Sequence, residues 1–279
     1  MNQDNPLLSV NRLKIELGMQ PRPDAKPVEW WRNSQSRVEY PVYRLSDCEP
    51  IIKKSLTDNQ IKALKKLHKT NLLKRFENEH RKALEASKSI QDLFSQKFII
   101  LDTETTGLGH HDQIIECAII TDQGEILHNA RYRPSVTVSN GAYQVHGISN
   151  HDLQNAPTFD RDAEKIRDIL LSKTVAIFNA GFDIKLLANT LTAFNLDTSF
   201  LNHVATYCAM LTAAKAYGAT NQYGTISLYN AFLSAGGNTN MMHAHTALGD
   251  CFSTLHVLRD IAGLQAKIDC QRSMLDQNE

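Results

Sequence analysis

Five residues of this 279-residue chain could do chemistry together: Asp102, Glu104, Asp183, His245 and Asp250. Asp102 and Glu104 lie in Phe98-Ile99-Ile100-Leu101-Asp102-Thr103-Glu104-Thr105-Thr106-Gly107. Asp183 ends Asn179-Ala180-Gly181-Phe182-Asp183, and the last pair brackets His245-Thr246-Ala247-Leu248-Gly249-Asp250. Carboxylates are hard oxygen ligands, and imidazole titrates near neutrality. Four carboxylates and an imidazole can hold two divalent cations and activate a water beside a phosphodiester.

Each group also has a plainer use. Asp102 and Glu104, two apart on a strand or just past its end, point the same way; two surface acids at a strand end are common. Thr105-Thr106-Gly107 adds weight to a site. Gly107 lets backbone approach a ligand closely, and the threonines offer hydroxyl and N–H donors to a terminal nucleotide or phosphate. Leu108, next along, could wedge against a terminal base. Asp183 opens a helix at the C-terminal edge of a sheet, where sites on α/β folds gather. Alone, it reads as a first-turn acid favoured by the helix dipole. His245 near a metal-bound water would be the general base, with His243 the bystander.

These residues need elements to position them. From Lys97 onward the pattern alternates between strand and helix. Lys97–Asp102, Gln113–Thr121 and Glu125–Arg133 read as strands, the last two joined by turn chemistry at Asp122-Gln123-Gly124. Thr174–Phe178 is a buried-strand run. Phe159–Leu171, Phe182–Leu191, Val204–Tyr217, Ser227–Ala235 and Ala244–Ile261 read as helices. The expected architecture is α/β, a mixed sheet flanked by helices.

Ahead of this block, Asp58–Phe94 reads as an amphipathic helix capped by Thr57 or Ser55, with Thr70-Asn71 as a candidate break. Its apolar side must pack on the rest of the chain or on a second copy. Its lysines and arginines read as a solvated face, with nucleic-acid contact as the second use. The first fifty residues, punctuated by Pro21, Pro23 and Pro27, read as irregular. Trp30-Trp31-Arg32 suits anchoring onto a neighbouring surface, which is the favoured reading. A base-stacking platform beside Arg32 and Arg37 is the sharper one.

Equal numbers of basic and acidic residues, 30 each, leave no net charge but hide an asymmetry. Met1–Gln96 holds 18 basic and 12 acidic residues, and Lys97–Glu279 the reverse. A carboxylate surplus suits a metal-binding domain, and a basic arm suits a polyanion or the acidic partner domain. Apolar runs such as Phe98–Leu101 fall far short of the ~20 residues a membrane-spanning helix needs. Met1–Val10 lacks the pattern of a signal peptide. The five cysteines show no CxxC spacing and read as reduced thiols of a soluble intracellular protein.

Together, and in this order, the motifs resemble the DEDDh family of 3′→5′ exonucleases. The Asp-x-Glu-Thr-Thr-Gly, Asn-x-x-Phe-Asp and His-x4-Asp blocks all match, and Val145-His146-Gly147-Ile148 matches a His-Gly-Ile element between the first two. Phe178 stands where the family often has His. The Asp-Thr dipeptide often found after the second motif is missing; Ala205-Thr206-Tyr207-Cys208 is the nearest stretch. The resemblance implies a ribonuclease-H-like domain over residues 97–264, after a mainly helical extension (1–96) and before a C-terminal tail (265–279). It implies that Asp102, Glu104, Asp183 and Asp250 hold two Mg²⁺ or Mn²⁺ ions while His245 takes a proton from the attacking water. Thr105, Thr106, Gly107, Leu108, His146, Asn179 and Phe182 would contact substrate. The implied substrate is DNA with a single-stranded or frayed 3′ end, RNA being the alternative, and the products are 5′-mononucleotides. A non-catalytic binding role would be expected to have lost one of the five residues, and all five are present. The extension leaves room for docking on a polymerase or recombination partner.

Overall fold

The computed structural model describes residues 5–32, 39–51, 57–238 and 245–277. Ser55, Arg37 and His243, named above, lie outside the described residues. The chain divides into two compact units, Met1–Thr70 and Asn71–Glu279.

The first unit holds β1 (Leu7–Ser9), α1 (Val10–Arg12), a π turn over Leu13–Leu17, β2 (Met19–Pro21), β3 (Glu29–Arg32), β4 (Glu39–Arg44), β5 (Cys48–Pro50) and the start of α2 (Asp58–Gln96). β4 pairs antiparallel with β1 and β3, and β2 pairs antiparallel with β5. This corrects the irregular segment expected from the sequence. Strands this short show too few alternations to be read, and Pro21, Pro41 and Pro50 inside them argue against strand locally. Trp30 is 60% exposed, so burial does not account for it as an anchor. Trp31 Nε1 donates to Glu29 at 2.7 Å.

α2 begins with a reciprocal cap. Thr57 Oγ1 accepts the Gln60 N–H at 3.3 Å, and the Gln60 side chain accepts the Thr57 N–H at 2.9 Å. The helix passes through Thr70-Asn71 unbroken, with Thr70 Oγ1 bonded back to the Lys66 carbonyl.

The second unit continues with β6 (Phe98–Thr105), β7 (Ile114–Thr121), β8 (Ile126–Arg131), α3 (Asn140–His146), α4 (Ala163–Ser172), β9 (Thr174–Ile177), α5 (Ala180–Ala193), β10 (Thr206–Cys208), α6 (Ala209–Tyr217), α7 (Leu228–Ser234) and α8 (Ala247–Gln277). The sheet runs β10-β9-β6-β7-β8. β10, β9 and β6 are mutually parallel, while β7 and β8 are antiparallel to their neighbours. Two expectations need correction. The helix read from Val204 starts at Ala209, because Thr206–Cys208 joins the sheet edge beside β9. α8 runs beyond Ile261 to Gln277.

Strand alternation splits the apolar residues into two cores. Phe98 and Ile100 of β6 pack with Ala118, Ile120, the Ala86-Ile90-Leu93 stripe of α2, and Cys251, Leu255 and Leu258 of α8. Ile99 and Leu101 pack on the other face with Ile119, Val175, Ile166 of α4, and Leu186 and Leu187 of α5. All five cysteines are free thiols. Among the described residues, no helix is long and apolar enough to cross a membrane.

Candidate active site

The same alternation distributes the reactive side chains. Asp102 and Glu104 share the parity of Phe98 and Ile100, so they belong to the face that packs on α8. Thr103 belongs to the face that packs on α5. β6 pairs with β9 only through Ile100, so Asp102–Glu104 lie where those parallel strands part. Such a crevice is where α/β sheets take ligands.

Asp102, Glu104 and Asp250 each offer an oxygen such that the three lie within 4.8 Å of one another. Asp250 reaches them from the first turn of α8, which Thr246 caps by accepting the Gly249 N–H at 3.2 Å. Asp183, in the first turn of α5, comes from the opposite face of the sheet. It is 4% exposed, and its Oδ1 accepts a hydrogen bond from Thr103 Oγ1 at 2.7 Å. It therefore joins β6 through the residue between Asp102 and Glu104, outside the three-carboxylate cluster. His245 is exposed and holds a left-handed φ of 64° immediately ahead of α8.

Beside the carboxylates lies a cavity of about 350 Å³, whose lining includes Glu104, Gly107, Leu108, His146 and Phe182. Leu108 stands 76% exposed at its mouth. Thr105 also lines it, but its hydroxyl donates to the Gly107 carbonyl at 2.8 Å. Thr106 is fully buried, with its hydroxyl donating to Asp112 Oδ1 at 2.6 Å and its N–H to the Gln113 carbonyl. Both threonine hydroxyls thus shape the turn from within. His146 accepts the Ile148 N–H on Nδ1 at 3.0 Å, so its Nε2 carries the proton donated to the Thr105 carbonyl at 3.1 Å. Asn179 is exposed at the N-terminus of α5.

Three residues were missed in the sequence. Thr103 binds Asp183. Asp112 gathers the turn, taking Thr106 Oγ1 and the Gly109 N–H, each at 2.6 Å. Glu116 lies directly across from Glu104 in the β6–β7 register.

The RNase T family model, described as exonuclease, matches residues 99–258, more than half of the chain. The chain belongs to the RNase T exonuclease family. It is a hydrolytic exonuclease of the DEDDh type. Over 170 residues it is 29% identical to an uncharacterized exonuclease, CP81, of Escherichia phage 186, a match covering 59% of this chain and 87% of that one. It is 28% identical to the DNA polymerase III epsilon subunit of Rickettsia conorii, covering 61% and 75% respectively. Among solved structures, a zinc-bound E. coli ExoI–ssDNA complex superposes with a TM-score of 0.51 at 15% identity, covering 62% of this chain and 42% of that one. That likeness establishes the ribonuclease-H-like fold.

Electrostatics test whether the exonuclease's carboxylates suit a cation. Burial, then the charges of Asp183, Asp250, Glu104 and Glu116, push the Asp102 carboxyl well above its usual range. Burial, then Asp250, Glu116 and Asp183, raises Glu104 to about 8. Burial raises Asp183 to about 7, against the hydrogen bond from Thr103. Burial raises Asp250 to about 6, against the charge and backbone N–H of His245. Asp250 Oδ1 is buried with no hydrogen-bond partner. Clustered, desolvated carboxylates with an unsatisfied oxygen fit a hard divalent cation.

A pH dependence follows. All four carboxyls are raised above the ordinary carboxyl range, so in the metal-free exonuclease this cluster contributes stability when its acids are protonated. That stability disappears as pH rises through the raised values. Thermal melts without metal should show a loss on the order of a few kcal/mol between about pH 5 and pH 8. Added Mn²⁺ should restore most of it at the upper end. A metal-free melting temperature that climbs over this range would contradict the assignment.

The turn bearing Leu108 gives a second expectation. A methyl on Gly107 would sit 2.7 Å from an Asp112 carboxylate oxygen. Gly107→Ala must therefore displace the Asp112 clamp and with it Leu108. A fall of about 10²-fold in kcat/KM is expected, the scale of an ångström-sized misplacement. Activity within a factor of two of wild type would show that the turn is not used.

Proposed function

We propose that this exonuclease removes 5′-mononucleotides from the 3′ ends of DNA by metal-dependent hydrolysis. The observation that carries the reading is the convergence of Asp102, Glu104 and Asp250, with the orphaned Asp250 oxygen, beside the cavity under Leu108. Asp102, Glu104 and Asp250 would hold one Mg²⁺ or Mn²⁺, and Asp183 would serve a second. Such a pair, when bound, would supply Lewis-acid stabilisation of the attacking and leaving oxygens.

The chain's own groups do the rest. Leu108, Phe182 and the neutral His146 line the cavity that receives the terminal nucleoside. Gly107 lets the backbone come close to it, and Thr105 and Thr106 hold the turn in shape. Asn179 faces solvent at the start of α5, placed to touch the incoming strand. His245 takes the proton from the attacking water, and its exposed position leaves it free to pass that proton on. DNA is favoured over RNA because the similar epsilon chains are DNA polymerase subunits. The basic surplus of residues 1–96 suits contact with the same polyanion or docking on a polymerase or recombination partner.

The test is degradation of a 5′-labelled single-stranded DNA with Mg²⁺ or Mn²⁺, beside an EDTA control and an RNA of the same sequence. A metal-dependent ladder shrinking from the 3′ end, faster on DNA, is expected. Shrinkage from the other end, or faster loss of RNA, would replace the reading.

A further inference from the structure

The second acidic residue of the β6–β7 pair has no place in the roles above. Glu116 interrupts an otherwise apolar strand, Ile114-Ile115-Glu116-Cys117-Ala118-Ile119-Ile120, and its side chain is only 9% exposed. A carboxylate buried in a sheet is costly unless its oxygens are bonded. Both are. Oε1 accepts from Arg131 Nε on β8 at 2.8 Å. Oε2 accepts the backbone N–H of Ala247 at 2.8 Å, one of the unpaired donors at the N-terminus of α8. Ala247 stands two residues after His245 and three before Asp250.

We infer that Glu116 is a positioning residue, a tether that fixes the first turn of α8 against the sheet and so sets His245 and Asp250 relative to Asp102 and Glu104. It rests on the exonuclease reading above, since it concerns the same site. Neither oxygen of Glu116 needs a cation, because each already has a donor. Oxygens from Asp102, Glu104 and Asp250 converge without it. Arg131 holds the carboxylate in orientation, and α8 receives the bond where its dipole favours a negative partner. The tether acts where His245 leaves the regular helix with a left-handed backbone, so slack there would spread into both groups.

The experiment compares Glu116→Ala, Glu116→Gln and Arg131→Ala with wild type in the full chain. It measures kcat and KM on labelled single-stranded DNA at several Mn²⁺ concentrations, normalised to folded protein by circular dichroism. A tethering role predicts that Glu116→Ala lowers kcat about 100-fold and demands more Mn²⁺, with KM for DNA within about threefold. Glu116→Gln, whose side-chain oxygen can still accept the Ala247 N–H, should recover at least about tenfold of that loss. Arg131→Ala should lower kcat by a smaller factor, again at unchanged KM. Should Glu116→Ala fail to fold, the other two variants decide by the same criteria. The tether is overturned if Glu116→Gln is as inactive as a ligand variant, which would make the charge itself the functional element. It is equally overturned if kcat per folded molecule is unchanged in Glu116→Ala, or in both remaining variants. A wild-type protein without activity would instead refute the exonuclease reading, so the two failures are distinct.

Discussion

Asp102→Asn is expected to abolish exonucleolytic degradation, by about 10³-fold or more, the scale of losing a principal electrostatic stabiliser of the transition state. The same change should raise the melting temperature of the metal-free protein at pH 8. Asp102 is where unfavourable charge accumulates: burial and four neighbouring carboxylates all oppose its ionised form. Asparagine keeps the shape and removes that charge. A rise of about 2–6 °C is expected without metal, and the gain should shrink or reverse once Mn²⁺ is added to both proteins. The paired result separates function from folding. If Asp102→Asn melts lower than wild type in EDTA, the carboxylate is serving the fold, and the metal reading of the cluster fails.

If His245 is the proposed general base, replacing it should cost kcat about 10³-fold with little change in KM, since general-base catalysis contributes on that order. The backbone makes a sharper version of the test available. With φ at 64°, His245 occupies a conformation that alanine resists and glycine accepts. If the imidazole is the working group, His245→Gly and His245→Ala should be equally poor. If the residue matters only as a left-handed turn leading into α8, His245→Gly should stay active while His245→Ala fails. Steady-state kinetics on a labelled oligonucleotide distinguishes these outcomes.

The convergence of Asp102, Glu104 and Asp250 was legible in the sequence because these residues sit in local contexts that carry their own meaning. An apolar run ending in Asp102-Thr103-Glu104 announces a strand with two acids on one side. The placement of Asp183 was harder to read. Spacing puts it at a helix start, but only the packing of α5 on the Thr103 face explains why it stands apart from the other three carboxylates. Glu116 did leave a signal, as a single acid within the apolar run Ile114–Ile120, which must find donors inside the fold. Its partner is a main-chain N–H 131 positions away, and no side-chain pattern encodes that. The first-unit strands escaped because hydrogen bonding between distant short segments defines them, not residue alternation. β10 escaped for the same reason, its three residues continuing smoothly into α6.

The long helix ahead of β6 bears on how a minimal nuclease would be cut from this chain. Ala86, Ile90 and Leu93 are almost fully inaccessible among Phe98, Leu255 and Leu258. Ser87 Oγ donates to the Ala262 carbonyl at 3.0 Å, and Arg272 pairs with Glu77 at 2.7 Å. Trimming back to Lys97, where the sequence changes character, would strip a wall from the hydrophobic interior and produce an aggregating fragment. Such a fragment would make the extension look essential for catalysis when only the interior had been opened. Trimming to the neighbourhood of Asn71 leaves that wall standing, and only there can the first unit's contribution to substrate or partner be weighed by its removal.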